Sequence, residues 1–210
     1  MSYLRFIHSL ERRQLLSASA PTLSADLSDA LSELKAAHGV LTAARSTELA
    51  DRKTFLADLR PASTRANAKL VAQLERDDAR ASAKTFAADT ALTLKGAALC
   101  RRATADGILL LKRPTNAALN TRVSTEASAL VEQIATLLSA VQDQFVAANQ
   151  THDADLSAIV SANPSIPALS SDLQSTENHL GGASGELGGT AVLAQNQVGT
   201  LATDLATVRS

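Results

Sequence analysis

The sequence predicts an all-α protein: long antiparallel helices forming a four-helix bundle or coiled-coil-like array, with a Gly-rich break near 181–189. Three observations carry this. Alanine (41 residues) and leucine (32) dominate the 210-residue chain, and both favour helices. The aromatic residues are only Tyr3, Phe6, Phe55, Phe86 and Phe145, so the aromatic and β-branched runs of an all-β domain are missing. Finally, Pro21, Pro61, Pro114, Pro164 and Pro167 divide the chain into a leader, 1–21, and four segments of similar length. Proline lacks the N–H that a helix interior needs and clashes with the preceding turn. The expected organisation is a leader followed by a single elongated helical domain, 22–210, with helices near 22–60, 62–113, 115–162, 166–180 and 190–208.

The first helix opens on Thr22 and Ser24 as candidate caps, with Asp26 and Asp29 placing negative charge among the exposed N–H groups. Leu27, Ala30, Leu34, Ala37, Leu41 and Ala44 then alternate at spacings of three and four, the heptad pattern of a packed seam. The pattern fails at Glu48 and Asp51 and reads as resuming one residue later, at Leu49, Leu56 and Leu59. In the second segment two faces compete. Leu70, Leu74, Ala81, Ala88, Leu92 and Leu99 make one; Ala79, Ala83, Phe86, Thr90 and Leu94 make the other. Asp106-Gly107 followed by Ile108-Leu109-Leu110-Leu111 reads as a turn and a short buried piece.

The third segment has the clearest period: Leu119, Val123, Ala127, Leu130, Ile134, Leu137, Val141, Phe145 and Ala148, widened by Val131 and Leu138. The fourth begins with Leu169, Leu173 and Leu180. Five of the nine glycines follow within 181–189, and a seam of Ala191, Ala194, Val198, Leu201, Leu205 and Val208 comes after them. That stretch reads as a flexible turn between two helices.

Net charge is −1, which gives no global basic field for nucleic acid or a membrane surface. Segment 61–113 is the exception, with ten Lys or Arg against five Asp or Glu. It reads either as a basic helix beside acidic neighbours or as a partner-binding face. Arg65, Arg76, Arg80, Arg101 and Arg102 lack the interleaved aromatics of a single-strand binding surface. No run approaches the roughly 20 apolar residues of a spanning helix, so no transmembrane segment is expected.

A secretory signal needs an uninterrupted apolar run, and Arg5, His8 and Ser9 break the one available here. The segment Leu10-Glu11-Arg12-Arg13-Gln14-Leu15-Leu16-Ser17 instead resembles the LEPR-XLL motif. This short N-terminal segment occurs on many bacterial proteins thought to be exported or surface-associated. Leu10, Glu11, Arg13, Leu15 and Leu16 match it, and Arg12 stands where the motif has proline. The resemblance implies an address, export or the cell envelope, and no activity.

Reactive chemistry is hard to place. No lysine follows Lys112, so the glycines at 181–189 cannot form a P-loop. None of His8, His38, His152 and His179 follows a glutamate by three, the spacing that converges ligands in helical metal sites. Glu177 and His179 point to different sides, and His152 with Asp153 and Asp155 reads as a solvated helix end. Cys100, beside Arg101 and Arg102, reads as a small buried residue, because a nucleophile would need a base that is not identifiable. No catalytic, cofactor-binding or metal-ligating residue is nominated. The expectation is a non-enzymatic structural or protein-interaction protein, exported or envelope-associated. It would have protein partners or self-associate, with no cofactor and no evident small-molecule substrate. The alternative is a cytoplasmic coiled-coil scaffold or nucleic-acid-associated protein using the basic 61–113 helix, nucleic acid being the less favoured partner.

Overall fold

A computed structural model describes the backbone of residues 2–62 and 64–208 and the side chains of residues 20–62 and 64–208. The chain is an all-α helical bundle, with no strand among the described residues. Helix α1 spans Ser2–Leu59, α2 Arg65–Ala91, α3 Ala97–Lys112, α4 Ala117–Ala162 and α5 Pro167–Thr207. A 3-10 turn, Arg60–Ala62, follows α1, and a π-helical turn, Leu92–Gly96, joins α2 to α3 without a break. No described helix is long and apolar enough to cross a membrane.

Proline marks the turns at four of its five positions. Asn116 N–H donates to the Arg113 carbonyl across Pro114, and Ile166 N–H to the Asn163 carbonyl across Pro164. Both are tight turns with proline at the second position, where its fixed φ fits. Pro61 lies in the 3-10 turn and Pro167 opens α5, where a missing N–H costs nothing. Side chains supply the caps: Thr64 Oγ1 accepts from Asn67 N–H at 3.1 Å, and Asn116 Oδ1 from Leu119 N–H at 3.0 Å. Pro21 is the exception. α1 does not begin at residue 22 but runs from Ser2 through an exposed Pro21, which removes only one helical hydrogen bond.

Two further expectations are corrected. The glycines at 181–189 do not break the fourth segment, because α5 runs through them unbroken. The reason is a seam that ignores them: Thr176, Leu180, Leu187, Ala191 and Ala194 are buried at spacings of four, seven, four and three. Gly181, Gly182, Gly185 and Gly189 have open space where a Cβ would stand, so they weaken the helix without disturbing its packing. Gly182→Ala and Gly185→Ala are therefore each expected to raise stability by about 0.5–1 kcal/mol in urea unfolding. A loss of stability would show that the backbone there is not helical.

Asp106-Gly107 is not a turn either, since α3 continues to Lys112 with Gly107 buried inside it. A Cβ at Gly107 would stand 2.4 Å from Leu205 Cδ2 and 3.3 Å from Leu23 Cδ1. Glycine is needed here for close helix approach, not for a bend.

The chain divides into two compact units. Unit 1 takes residues 1–35, 92–137 and 191–210, and its buried residues include Leu23, Ala30, Leu34, Leu110, Val123, Ile134, Val198 and Leu205. It also holds a strained carboxyl pair. Burial, then the hydrogen bond that the protonated carboxyl donates to Asp204 and the charge of Asp204, then the charge of Asp29, push the Asp26 carboxyl from 3.8 up to about 6. A carboxyl that binds its proton more tightly when folded destabilises the fold once it ionises. Stability is therefore expected to fall as pH rises from about 4 to 6 and to stay lower above. Asp204→Asn removes the repulsion, and unfolding at pH 8 should then show a gain of about 1 kcal/mol after allowance for solvent screening. A variant no more stable than the parent at pH 8 would show that the pair is fully solvated.

Unit 2 takes residues 36–91 and 138–190. Its apolar core is Phe55, Leu59, Leu74, Leu156, Ile159 and Leu169. Beside it, Asn67 and Asn163 exchange side-chain hydrogen bonds of 2.7 and 3.0 Å, and each also donates to a backbone carbonyl, Ala62 and Ile159 respectively.

Candidate functional site

The seams of three helices turn polar in the same part of unit 2. On α1 the register does not slip after Ala44. It continues through Glu48 and Arg52 to Phe55 and Leu59, leaving Leu49 40% exposed. On α2 the face with Leu74 and Leu92 is the buried one, and Asp78 and Asp89 lie buried along it. The competing face, with Ala79, Ala83 and Phe86, is exposed. On α4 the stripe that ends at Ala148 has His152 as its next member, four residues on. His152 is 2% exposed and well inside the helix, so the expectation of a solvated helix end is overturned.

These side chains meet one another. His152 Nδ1 lies 2.8 Å from Asp78 Oδ1 and 3.8 Å from Glu48 Oε1. The other Asp78 oxygen, Oδ2, accepts from Arg52 at 3.1 Å, and Glu48 is held by Arg45 one turn before it. The ligand-type atoms of Glu48, Asp78 and His152 all lie within 4.8 Å of one another. Burial pulls the His152 pKa down, but the hydrogen bond to Asp78 and the charges of Asp78, Glu48 and Asp153 outweigh it and hold the imidazole above its ordinary value. The ring's other nitrogen, Nε2, is buried with no hydrogen-bond partner. Nearby, burial followed by the charge of Asp77 raises the Asp155 carboxyl, and Gln73 donates to Asp155 Oδ1 at 2.9 Å.

The polar cluster adjoins a cleft of about 340 Å³ between α1, α2 and α4. Leu41, Ala81, Phe145 and Ala148 give it apolar walls, and Phe86, 68% exposed, stands on its lining. His38 also lines the cleft and is 2.7 Å from Asp89 Oδ2. With His179 bonded to Asp51 at 2.8 Å, His38, His152 and His179 each pair with an aspartate of another helix.

The other candidates are not drawn into this cluster. The cleft lining includes none of Arg65, Arg76, Arg80, Arg101 and Arg102, which are all exposed; Arg80 pairs with Asp77 and Arg102 with Glu126. Glu177 and His179 are exposed on α5. Cys100 is fully buried, and burial pushes its thiol up to about 11, which makes it a poor nucleophile. The side chains of Leu10, Glu11, Arg13, Leu15 and Leu16 lie outside the described residues. No protein-family model, curated protein or solved structure matches this chain.

Proposed function

We propose that this chain is a non-enzymatic protein-interaction protein, exported or envelope-associated, that self-associates through unit 2. The observation that carries the reading is Phe86, a large apolar side chain left in solvent beside a cleft roomy enough for an aromatic ring. A knob beside its own hole is self-complementary: in a two-fold pair each copy's Phe86 fills the other's cleft, against Leu41 and Phe145. Exposed aromatics that become buried at such contacts carry much of the binding energy. Beside the cleft His38 pairs with Asp89, His152 and Arg52 with Asp78, and Arg45 with Glu48. Export rests on the resemblance of residues 10–17 to the LEPR-XLL segment.

Sedimentation velocity tests self-association: the parent chain should run as a dimer and Phe86→Ser as a monomer. A parent that stays monomeric at every concentration, or a variant that dimerises equally well, overturns the reading. Fractionation of native cells with intact-mass and N-terminal analysis tests export. Protein in the envelope or medium supports it; full-length chain confined to the cytoplasm overturns it.

A further inference from the structure

We infer that Glu48, Asp78 and His152 form a binding site for a divalent metal ion of the zinc class, which ties α1, α2 and α4 together inside unit 2. This goes beyond the proposed self-association and does not depend on it. The donor set is one imidazole nitrogen and two carboxylate oxygens, each from a different helix, a mixture that suits zinc or cobalt better than calcium or magnesium. Asp78 and His152 are almost fully buried, so this is not a group of acids dispersed on a surface.

The spacing is close to what an ion needs. Ligand atoms about 2.0–2.1 Å from a tetrahedral ion lie roughly 3.3 Å apart. The two Nδ1–oxygen distances are 2.8 and 3.8 Å. One of these gaps must widen and the other close by about 0.5 Å each, and the third, between the two carboxylate oxygens, is within 4.8 Å and must settle to the same spacing. The ion takes the place of the Nδ1 proton: an imidazolium gives one proton to solvent, whereas a neutral ring keeps its single proton, moved to Nε2.

The arginines support such a site more than they oppose it. Arg52 holds Asp78 by Oδ2 and leaves Oδ1 turned to His152. A ligating carboxylate whose second oxygen is hydrogen-bonded is the usual supporting arrangement around a bound metal. Arg45 is only partly buried and can follow Glu48 or turn to solvent. Charge points the same way. The charges of Asp78, Glu48 and Asp153 bear on His152 and those of Asp77 and Asp78 on Asp155, while Arg45, Arg52 and Arg80 pair with Glu48, Asp78 and Asp77. A dication offsets the repulsion among these carboxylates. The adjoining cleft, lined by the same three residues, gives the ion an entry path in the unassociated chain.

Titration of the full chain with Co²⁺ tests this, because four-coordinate Co²⁺ gives visible absorption bands. One equivalent should bind with such bands, and Zn²⁺ should displace it and raise the unfolding temperature. His152→Gln should weaken Co²⁺ binding at least tenfold. Glu48→Gln, at a less buried position, should do the same and keeps the test usable if the histidine variant fails to fold. Absence of bands, or binding unchanged in Glu48→Gln, overturns the site. Sedimentation of the metal-free chain reads self-association separately, so neither result decides the other.

Discussion

Phe55→Ala is expected to destabilise unit 2 by about 3–5 kcal/mol in urea unfolding followed by circular dichroism. Phe55 is fully buried, packed with Leu59, Leu74, Leu156, Ile159 and Leu169. These neighbours come from α1, α2, α4 and α5, and each is fixed by its own helix. The walls cannot close on the space left by the ring, so the loss combines transfer free energy with an unfilled cavity. Phe55→Leu keeps most of the volume and is expected to cost about 1 kcal/mol. An alanine variant that loses less than about 1 kcal/mol would show that the helices relax into the gap.

Asp78→Ala should cost about as much, 3–5 kcal/mol, for a different reason. Asp78 is 3% exposed and accepts from both Arg52 and His152. Its removal leaves a partly buried guanidinium without its partner and a buried imidazole with only the more distant Glu48 opposite it, and that poorly compensated desolvation dominates the loss. Asp78→Leu combined with His152→Leu removes both members of the pair and adds apolar surface. The double variant is expected to recover most of the stability, although each single change is costly. Costs that add across the two sites in the same unfolding assay would show that the residues do not act as a pair.

The fold was legible because its evidence is local and redundant. Leu34, Ala37, Leu41 and Ala44 on α1, and Val123, Ala127, Leu130 and Ile134 on α4, are buried as their spacing requires. The site was hidden by the same logic. Glu48 interrupts the α1 seam, and a polar residue there reads as a slip to Leu49. In the structure it is the seam itself turning polar, with register kept to Phe55. Asp78 and His152 occupy corresponding positions on α2 and α4, and a signal was available. Each apolar stripe, extended at its own period through the interruption, lands on a charged residue. One sequence does not reveal that these interruptions face one another, because that depends on how three helices are set side by side.

By itself, the sequence determined that the chain is helical, that prolines punctuate it, and which face of α4 and of the first half of α1 is apolar. Those properties come from propensity, from the missing proline N–H, and from a period that repeats within a few residues. Tertiary structure decided the rest. It carried α5 through five glycines, because the buried seam on either side outweighs their small individual costs. It kept α3 intact at Gly107, where glycine makes room for Leu205. It also brought Glu48, Asp78 and His152 together from positions far apart in the chain. Burying charge is unfavourable for any one helix alone, and becomes tolerable only when the neighbouring helices supply the opposite charges.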